Sequence, residues 1–298
     1  MGNFSAIYYF FSRLKINRMK PLFHPMIKRI LVPTDGYGLE NHVIKYVARV
    51  FPFADFHVVS VINTYERGVQ LTSILYEEMK ESAKKAVEEG KKLLENEGIH
   101  NVSFRILEGL PSREIVRYAR ENDIDLIAMR VYCRKSTVSA QRMGSTVANV
   151  LKRTHIPVLT LAEEIKKREI KKVLLLTDGT AKSKRAENYA ILLASSFGAG
   201  MEVLYIKDKK DGEHVKKLDN VVWKASHWNI EVKKSIESMG NKDALLSHFN
   251  RNDIVVMGVG KKILFWRKIG HIAMFVATHS PIPVIFVNSF KKGWSQRR

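Results

Sequence analysis

The sequence predicts an α/β protein made of two tandem open five-stranded parallel sheets with helices on both faces. Three observations predict it. Short apolar runs bounded by turn signals alternate with segments of helical period, which is the pattern of a parallel sheet covered by helices. The whole alternation occurs twice within 298 residues. Each copy closes on a proline-marked apolar run, HIPVLTLA at 155–162 and PIPVIFVNS at 281–289.

Other landmarks repeat in the same order. MIKRILVPTDG at 26–36 matches IKKVLLLTDG at 170–179, each a basic pair, an apolar run and Thr-Asp-Gly. NDIDLIAMR at 122–130 matches RNDIVVMGV at 251–259. The period is far longer than that of a solenoid, so the chain reads as a duplicated domain. The expected boundaries are an extension over 1–25, a first domain over 26–162, a charged linker over 163–169, a second domain over 170–289 and a basic tail over 290–298.

Each element of the first copy follows from its residues. RILVPT is a continuous apolar run ending in a turn signal, as expected of a strand buried on both faces. From about Asn41 to Val50 apolar residues recur at helical spacing. FHVVSVI (56–62) is a second strand. The segment from Thr72 to Asn96 is rich in Ala, Leu, Lys and Glu, all good helix formers. VSFRIL (102–107) is a third strand. Pro111 opens a helix with Ser112 and Glu114 in its first turn and Ile115 facing inward. DLIAM is a fourth strand, Gly144-Ser145-Thr146 begins a helix running through Lys152, and PVLTLA is a fifth strand. The second copy repeats this order, with 206–228 replacing the longer 62–99. In such sheets ligands bind beyond the carboxyl ends of the strands where strand order reverses. That directs attention to the loops after the first and fourth strands.

Composition narrows the function classes. Hydrophobic residues make up 45% and charged residues 27%, ordinary for a folded chain. No stretch approaches the roughly 20 apolar residues of a membrane span. The single cysteine, Cys133, excludes a disulfide framework and a Cys-rich zinc site, and fits a reducing, cytoplasmic home. The net charge of +20 is concentrated. Residues 1–25, 130–153, 163–172, 258–280 and 288–298 account for all of it, and 130–153 and 258–280 contain no acid. The first acid-free segment holds Arg130, Arg134, Lys135, Arg142, Lys152 and Arg153, and the second holds Lys261, Lys262, Arg267 and Lys268. Both follow a fourth strand, so composition and topology indicate the same local anion sites.

The ordered set ILVPTDG, EGLPSREIVRYARENDIDLIAM and GSTVANVLKRTHIPVLTL resembles the universal stress protein family in its tandem form. The resemblance is strong over about 26–162 and weaker over about 170–289, where LLLTDG, NDIVVMGVG and HSPIPVIFV carry it. It implies a Rossmann-like, adenine nucleotide alpha hydrolase-like fold that pairs partly through the last strand, so that a tandem chain is a pseudo-dimer and two chains form a further homo-oligomer. It also implies a regulatory, non-catalytic protein, with a slow nucleotide hydrolase as a third reading that lacks a recognisable base or metal constellation. Some members bind ATP through Gly-x2-Gly-x9-Gly-Ser/Thr after the fourth strand, where glycines admit phosphate close to the backbone at a helix start. By that resemblance Thr34, Asp35 and Val61 would meet adenosine in the first copy. Gly144, Ser145 and Thr146 would meet phosphate, with Arg134 in support. Asp178, Ile206, Gly258 and Gly270 are their second-copy counterparts. Any Mg2+ would arrive only with the nucleotide. Both copies depart from the pattern. Arg130 and Cys133 stand for the first two glycines, and ten residues then precede Gly144. In the second copy Gly258 is kept, Lys261 replaces the next glycine and His271 the hydroxyl residue.

Other readings stay open from the residues alone. Thr-Asp-Gly after a strand is good turn and helix-cap chemistry without catalysis. The basic loops serve equally as a solvated face or as a dock for nucleic acid or an anionic membrane. His155 reads as structural, and His248 and His271 lack partners at metal-ligand spacing. Cys133 among cations would have a lowered thiol pKa. The extension AIYYFFSRLKINR reads as an interfacial helix, with Tyr8, Tyr9, Phe10, Phe11 and Leu14 opposite Arg13, Lys15 and Arg18. Met19 and Met26 offer alternative starts. The tail KKGWSQRR places Trp294 among cations. No Ser-His-Asp order, HExxH or GxxxxGK[ST] is present.

Overall fold

A computed structural model describes residues 27–35, 41–65, 72–131, 143–166, 168–207, 214–238, 241–259, 261–263 and 266–289. The extension 1–25, Cys133, Arg134, Lys135, Arg142 and the tail 290–298 lie outside the described residues.

The N-terminal half runs β1 (Arg29–Pro33), α1 (Asn41–Val50), β2 (Asp55–Ile62), α2 (Ser73–Asn96), β3 (Val102–Glu108), α3 (Pro111–Glu121), β4 (Leu126–Arg130), α4 (Ser145–Arg153) and β5 (Val158–Leu161). The C-terminal half runs β6 (Lys172–Thr177), α5 (Lys184–Phe197), β7 (Gly200–Lys207), α6 (His214–Ser226), β8 (Val232–Ser238), α7 (Lys242–Phe249), β9 (Ile254–Val259), β10 (Lys261–Ile263), β11 (Trp266–Lys268), α8 (His271–His279) and β12 (Val284–Asn288). The segment between β9 and α8, expected as a loop, contains the antiparallel pair β10–β11.

The two expected five-stranded sheets join into one of ten strands, in the order β3-β2-β1-β4-β5-β12-β9-β6-β7-β8. Within each half neighbouring strands are parallel. The halves meet through β5 and β12, which pair antiparallel in the register Val284↔Thr160, Ile285↔Leu159 and Phe286↔Val158. The strands of the two halves therefore point in opposite directions, and their carboxyl ends lie at opposite edges of the sheet. Strand order reverses between β1 and β4 and again between β6 and β9, giving one switch point at each edge.

Side-chain alternation sorts the core into two layers that each run across both halves. Ile30, Val32, Val173 and Leu175 pack under α1, α2, α5 and α6, together with Val47, Leu94, Ala190 and Leu218. Leu31, Val59, Leu174 and Leu204 pack against α3, α4, α7 and α8, together with Ile115, Val150, Phe249 and Val276. The central strands β5 and β12 are wholly buried, while the edge strands β3 and β8 are largely exposed. Local chemistry sets the helix ends. The Thr72 side chain caps α2 by accepting from the Leu75 N–H at 3.3 Å. α5 stops at Gly198, whose φ of 60° suits glycine.

Equivalent acids fix the register of the first strand in each half. Asp125 Oδ2 accepts from the backbone N–H groups of Lys28 and Arg29 at 2.8 and 3.0 Å. Asp253 Oδ2 does the same for Lys171 and Lys172 at 2.8 and 2.9 Å. The repeated sequence landmarks are thus a repeated clamp between the first and fourth strands. Among the described residues no helix is long and apolar enough to cross a membrane.

Candidate functional site

In the N-terminal half the candidate residues gather at the carboxyl ends of β1, β2 and β4. Thr34 is fixed where β1 ends, its N–H donating to the Val59 carbonyl of β2 at 2.8 Å. Asp35 follows it and is exposed, and Val61 is half-buried near the end of β2. Gly144 is the N-cap of α4, and no side chain caps that helix. The Gly144 N–H donates to the Val131 carbonyl at 2.8 Å, which ties the helix start to the end of β4. Ser145 is exposed and Thr146 half-buried in the first turn. The remaining free N–H groups there carry the partial positive charge of a helix N-terminus. Arg130 is the last residue of β4, and its Nε is buried without a hydrogen-bond partner among the described residues. Arg134 lies outside the described residues.

The C-terminal half brings together the same positions with different fittings. Asp178 follows β6, and its Oδ1 accepts from the Thr180 N–H at 3.0 Å, the Thr180 hydroxyl at 2.8 Å and the Ser183 hydroxyl at 2.5 Å. Desolvation raises its pKa, but the hydrogen bonds from Ser183 and Thr180 outweigh it and hold the carboxyl below its usual range. Gly179 takes a φ of 63°, the conformation that the Thr-Asp-Gly turn requires. The turn-chemistry reading of this acid is what the geometry supports. Gly258 lies in β9 beside Ser183, where a Cβ would come 3.9 Å from the Ser183 Cα. Gly270 is the N-cap of α8, again without a side-chain cap.

A cavity of about 110 Å³ opens at this second edge, lined by Ile206, Ser238, Lys242, Leu245, His271, Ile272 and Phe275. Its walls come from the end of β7 and the starts of α7 and α8. Lys242 Nζ sits 5.4 Å from the Phe275 ring centroid. Of the sequence-derived candidates Ile206 lines this cavity directly, and Gly270 immediately precedes the His271 wall. Leu245, Ile272 and Phe275 were missed because their spacing on two helices reads only as core.

A second polar cluster lies outside both candidate sites. Glu202 of β7 is buried and accepts from Ser235 Oγ at 2.7 Å and Asn252 Nδ2 at 2.8 Å. His248 Nδ1 lies 2.9 Å from it, and His248 Nε2 lies 3.5 Å from Glu237. Burial raises the Glu202 pKa, yet the Ser235 and Asn252 hydrogen bonds and the nearby His248 pull it below the usual carboxylate range. The serine bonds the carboxylate rather than the imidazole, so this is no nucleophilic triad. The sequence signal was a lone acid in an apolar strand. Among the described residues no group of three or more His, Cys, Asp or Glu could hold a metal ion.

Comparison with known proteins fits this geometry. A family model described as "Universal stress protein family" matches residues 26–161. A universal stress protein of Methanocaldococcus jannaschii is 30% identical over 146 residues, covering 46% of this chain and 82% of the relative. Another from the same organism is 27% identical over 155 residues, covering 46% of this chain and 95% of the relative. The crystal structure of a universal stress protein from Archaeoglobus fulgidus has a TM-score of 0.71 at 23% identity, covering 87% of this chain and 98% of that one, so the tandem fold is shared. With the repeated clamp, the paired switch points and these matches taken together, the chain belongs to the universal stress protein family, in its tandem two-domain form.

Proposed function

We propose that the protein is a non-catalytic regulatory module of the stress response whose N-terminal half binds an adenine nucleotide. The observation that carries this reading is the α4 start. It lies at a switch point, has no side-chain cap, and is anchored to β4 through Gly144. A phosphate there meets free N–H groups and the positive end of the helix dipole. Thr34, Asp35 and Val61 would hold the adenosine end. Ser145 and Thr146 would add hydroxyl donors, and Arg134 a charge. Mg2+ would come only with the nucleotide. The reading includes a cytoplasmic location, domain limits of 26–162 and 170–289, and pairing of two tandem chains.

The C-terminal half is the weaker nucleotide site in this reading. Its acid Asp178 is already committed to Thr180 and Ser183. Gly258, Gly270 and Ile206 then serve a site of narrower use.

The test is calorimetric titration of the full chain with ATP, ADP and AMP. Micromolar binding is expected for the unaltered protein. Gly144→Asp should weaken it by about tenfold or more, because a carboxylate then occupies the anion position. Asp is also a good N-cap, so this variant should fold. Gly270→Asp, with open space around its Cβ, should leave binding unchanged. No binding by the unaltered chain, or equal loss in both variants, would overturn the proposal.

A further inference from the structure

β8 closes the C-terminal end of the sheet, and among the described residues it pairs only with β7. Its ladder shows which groups it leaves open. The two strands are parallel with Met201 beside Val232, and the Met201 N–H donates to the Glu231 carbonyl at 2.8 Å. In a parallel ladder such bonds recur at every second residue. Lys233, Ser235 and Glu237 therefore bond inward to β7, while Val232, Lys234, Ile236 and Ser238 turn their N–H and C=O groups to the open edge. Such an edge is a template for another strand.

What it fits follows from its own residues, VKKSIES. Laid antiparallel on a second copy of itself about a two-fold axis at Ser235, β8 sets Lys233 opposite Glu237 twice. These are the non-hydrogen-bonded pairs, where side chains come closest. Lys234 and Ile236 form the hydrogen-bonded pairs, and Val232 meets Ser238. No like charges stand directly opposite. Within one chain Lys233 Nζ comes only to 3.9 Å from Glu202, and Glu237 Oε1 lies 3.5 Å from His248 Nε2. The strand at the other end of the sheet lacks this match. β3 laid on itself about its middle residue sets Arg105 against Arg105.

The flank of α6 points the same way. On one side of the helix Lys224 donates to Asn188 of α5 at 3.3 Å, and on the other Lys234 of β8 donates to Asp219 at 2.9 Å. Trp223 lies one turn from Asp219 on that outer side and is 64% exposed. Ile236, on the same face of β8 as Lys234, is 46% exposed. In the paired register the second copy's Ile236 stands opposite Lys234, next to the Asp219–Trp223 stripe. α6 packs on both β7 and β8. Strand spacing then sets the α6 helices of the two copies about 10 Å apart, the separation of packed helices.

We propose that two copies of this chain join through β8, continuing the sheet across a two-fold axis, with paired Lys233 and Glu237 on one face and Trp223 covering the second copy's Ile236 on the other. The mode repeats the antiparallel β5–β12 pairing that already joins the two halves. Chain pairing belongs to the proposed function, and this assigns it a surface without requiring nucleotide.

The test is sedimentation velocity of the full chain over a concentration series, with calorimetry on the same samples to read nucleotide binding separately. A reversible shift toward twice the 34.2 kDa chain mass is expected, weakening as salt rises. Lys233→Glu and Glu237→Lys should each weaken association about tenfold or more, because each breaks two ion pairs. The doubly reversed chain should recover most of it, which loss of fold would not produce. Ile236→Pro removes an N–H that faces the open edge, so the chain should stay folded and become monomeric. Trp223→Ser should weaken association about fivefold. Four results would overturn the proposal: a monomer at every concentration, a dimer indifferent to these variants, a double reversal that restores nothing, or assembly beyond a dimer through the unlike edges β3 and β8.

Discussion

Glu202 shows how a single side chain ties pH to stability in this fold. Its carboxylate is buried among Ser235, Asn252 and His248, and Glu237 faces the other side of the same imidazole. The folded-state pKa is depressed, so the group's contribution is present above the unfolded value of about 4.3 and is lost as pH falls through the folded one. Glu202→Gln should cost about 2 kcal/mol near neutral pH, since it weakens hydrogen bonds to a buried charge. The gap between variant and parent should begin to shrink below the unfolded value and close once the pH is below the folded one. Urea unfolding across a pH series measures both. A gap constant from pH 7 to 3 would contradict this assignment.

At the scale of elements, close packing sets limits that the sequence pattern does not reveal. α2 approaches β2 so closely that a Cβ on Gly90 would lie 2.9 Å from Val58 Cγ1. Alanine should gain up to about 1 kcal/mol of helix propensity. Val58 is fully buried with Ile44 alongside, so overpacking should win and Gly90→Ala should destabilise by about 1–2 kcal/mol net. Thermal unfolding decides the sign. The strands were legible because buried parallel strands read as apolar runs, and the helices through their periodicity. Thr-Asp-Gly was legible as a turn, and Asp178 and Gly179 bear that out. The β10–β11 hairpin was not legible, because KKILFWRK carries neither alternation nor turn formers. The Glu202 cluster was hidden for another reason. Its members come from β7, β8, α7 and the turn after it, and only the fold brings them together.

The whole molecule depends on the junction between its halves. Asn288, at the end of β12, donates through Nδ2 to the Leu151 and Thr154 carbonyls at 2.6 and 2.7 Å, closing the end of α4. Arg185 of α5 donates to the His155 and Asn288 carbonyls at 2.6 and 2.7 Å. The bond at His155 uses its backbone carbonyl and is independent of the imidazole. Asn288→Ala should cost about 2 kcal/mol by leaving buried carbonyls unpaired, and both halves should melt earlier together. Separate transitions with only the C-terminal one shifted would show the halves to be independent. Two continuous core layers argue for a single transition.

The same junction has a consequence for inheritance. Where two identical copies pair across such a strand, one codon change alters both ends of the assembly at once. Here each end is encoded separately and can drift alone. One end has Gly144-Ser145, with Arg130 and Cys133 earlier in the segment. The other has Gly258 and a cationic ribbon between β9 and α8. A tandem chain leaves the two ends free of shared symmetry while one sheet runs between them on a common plan.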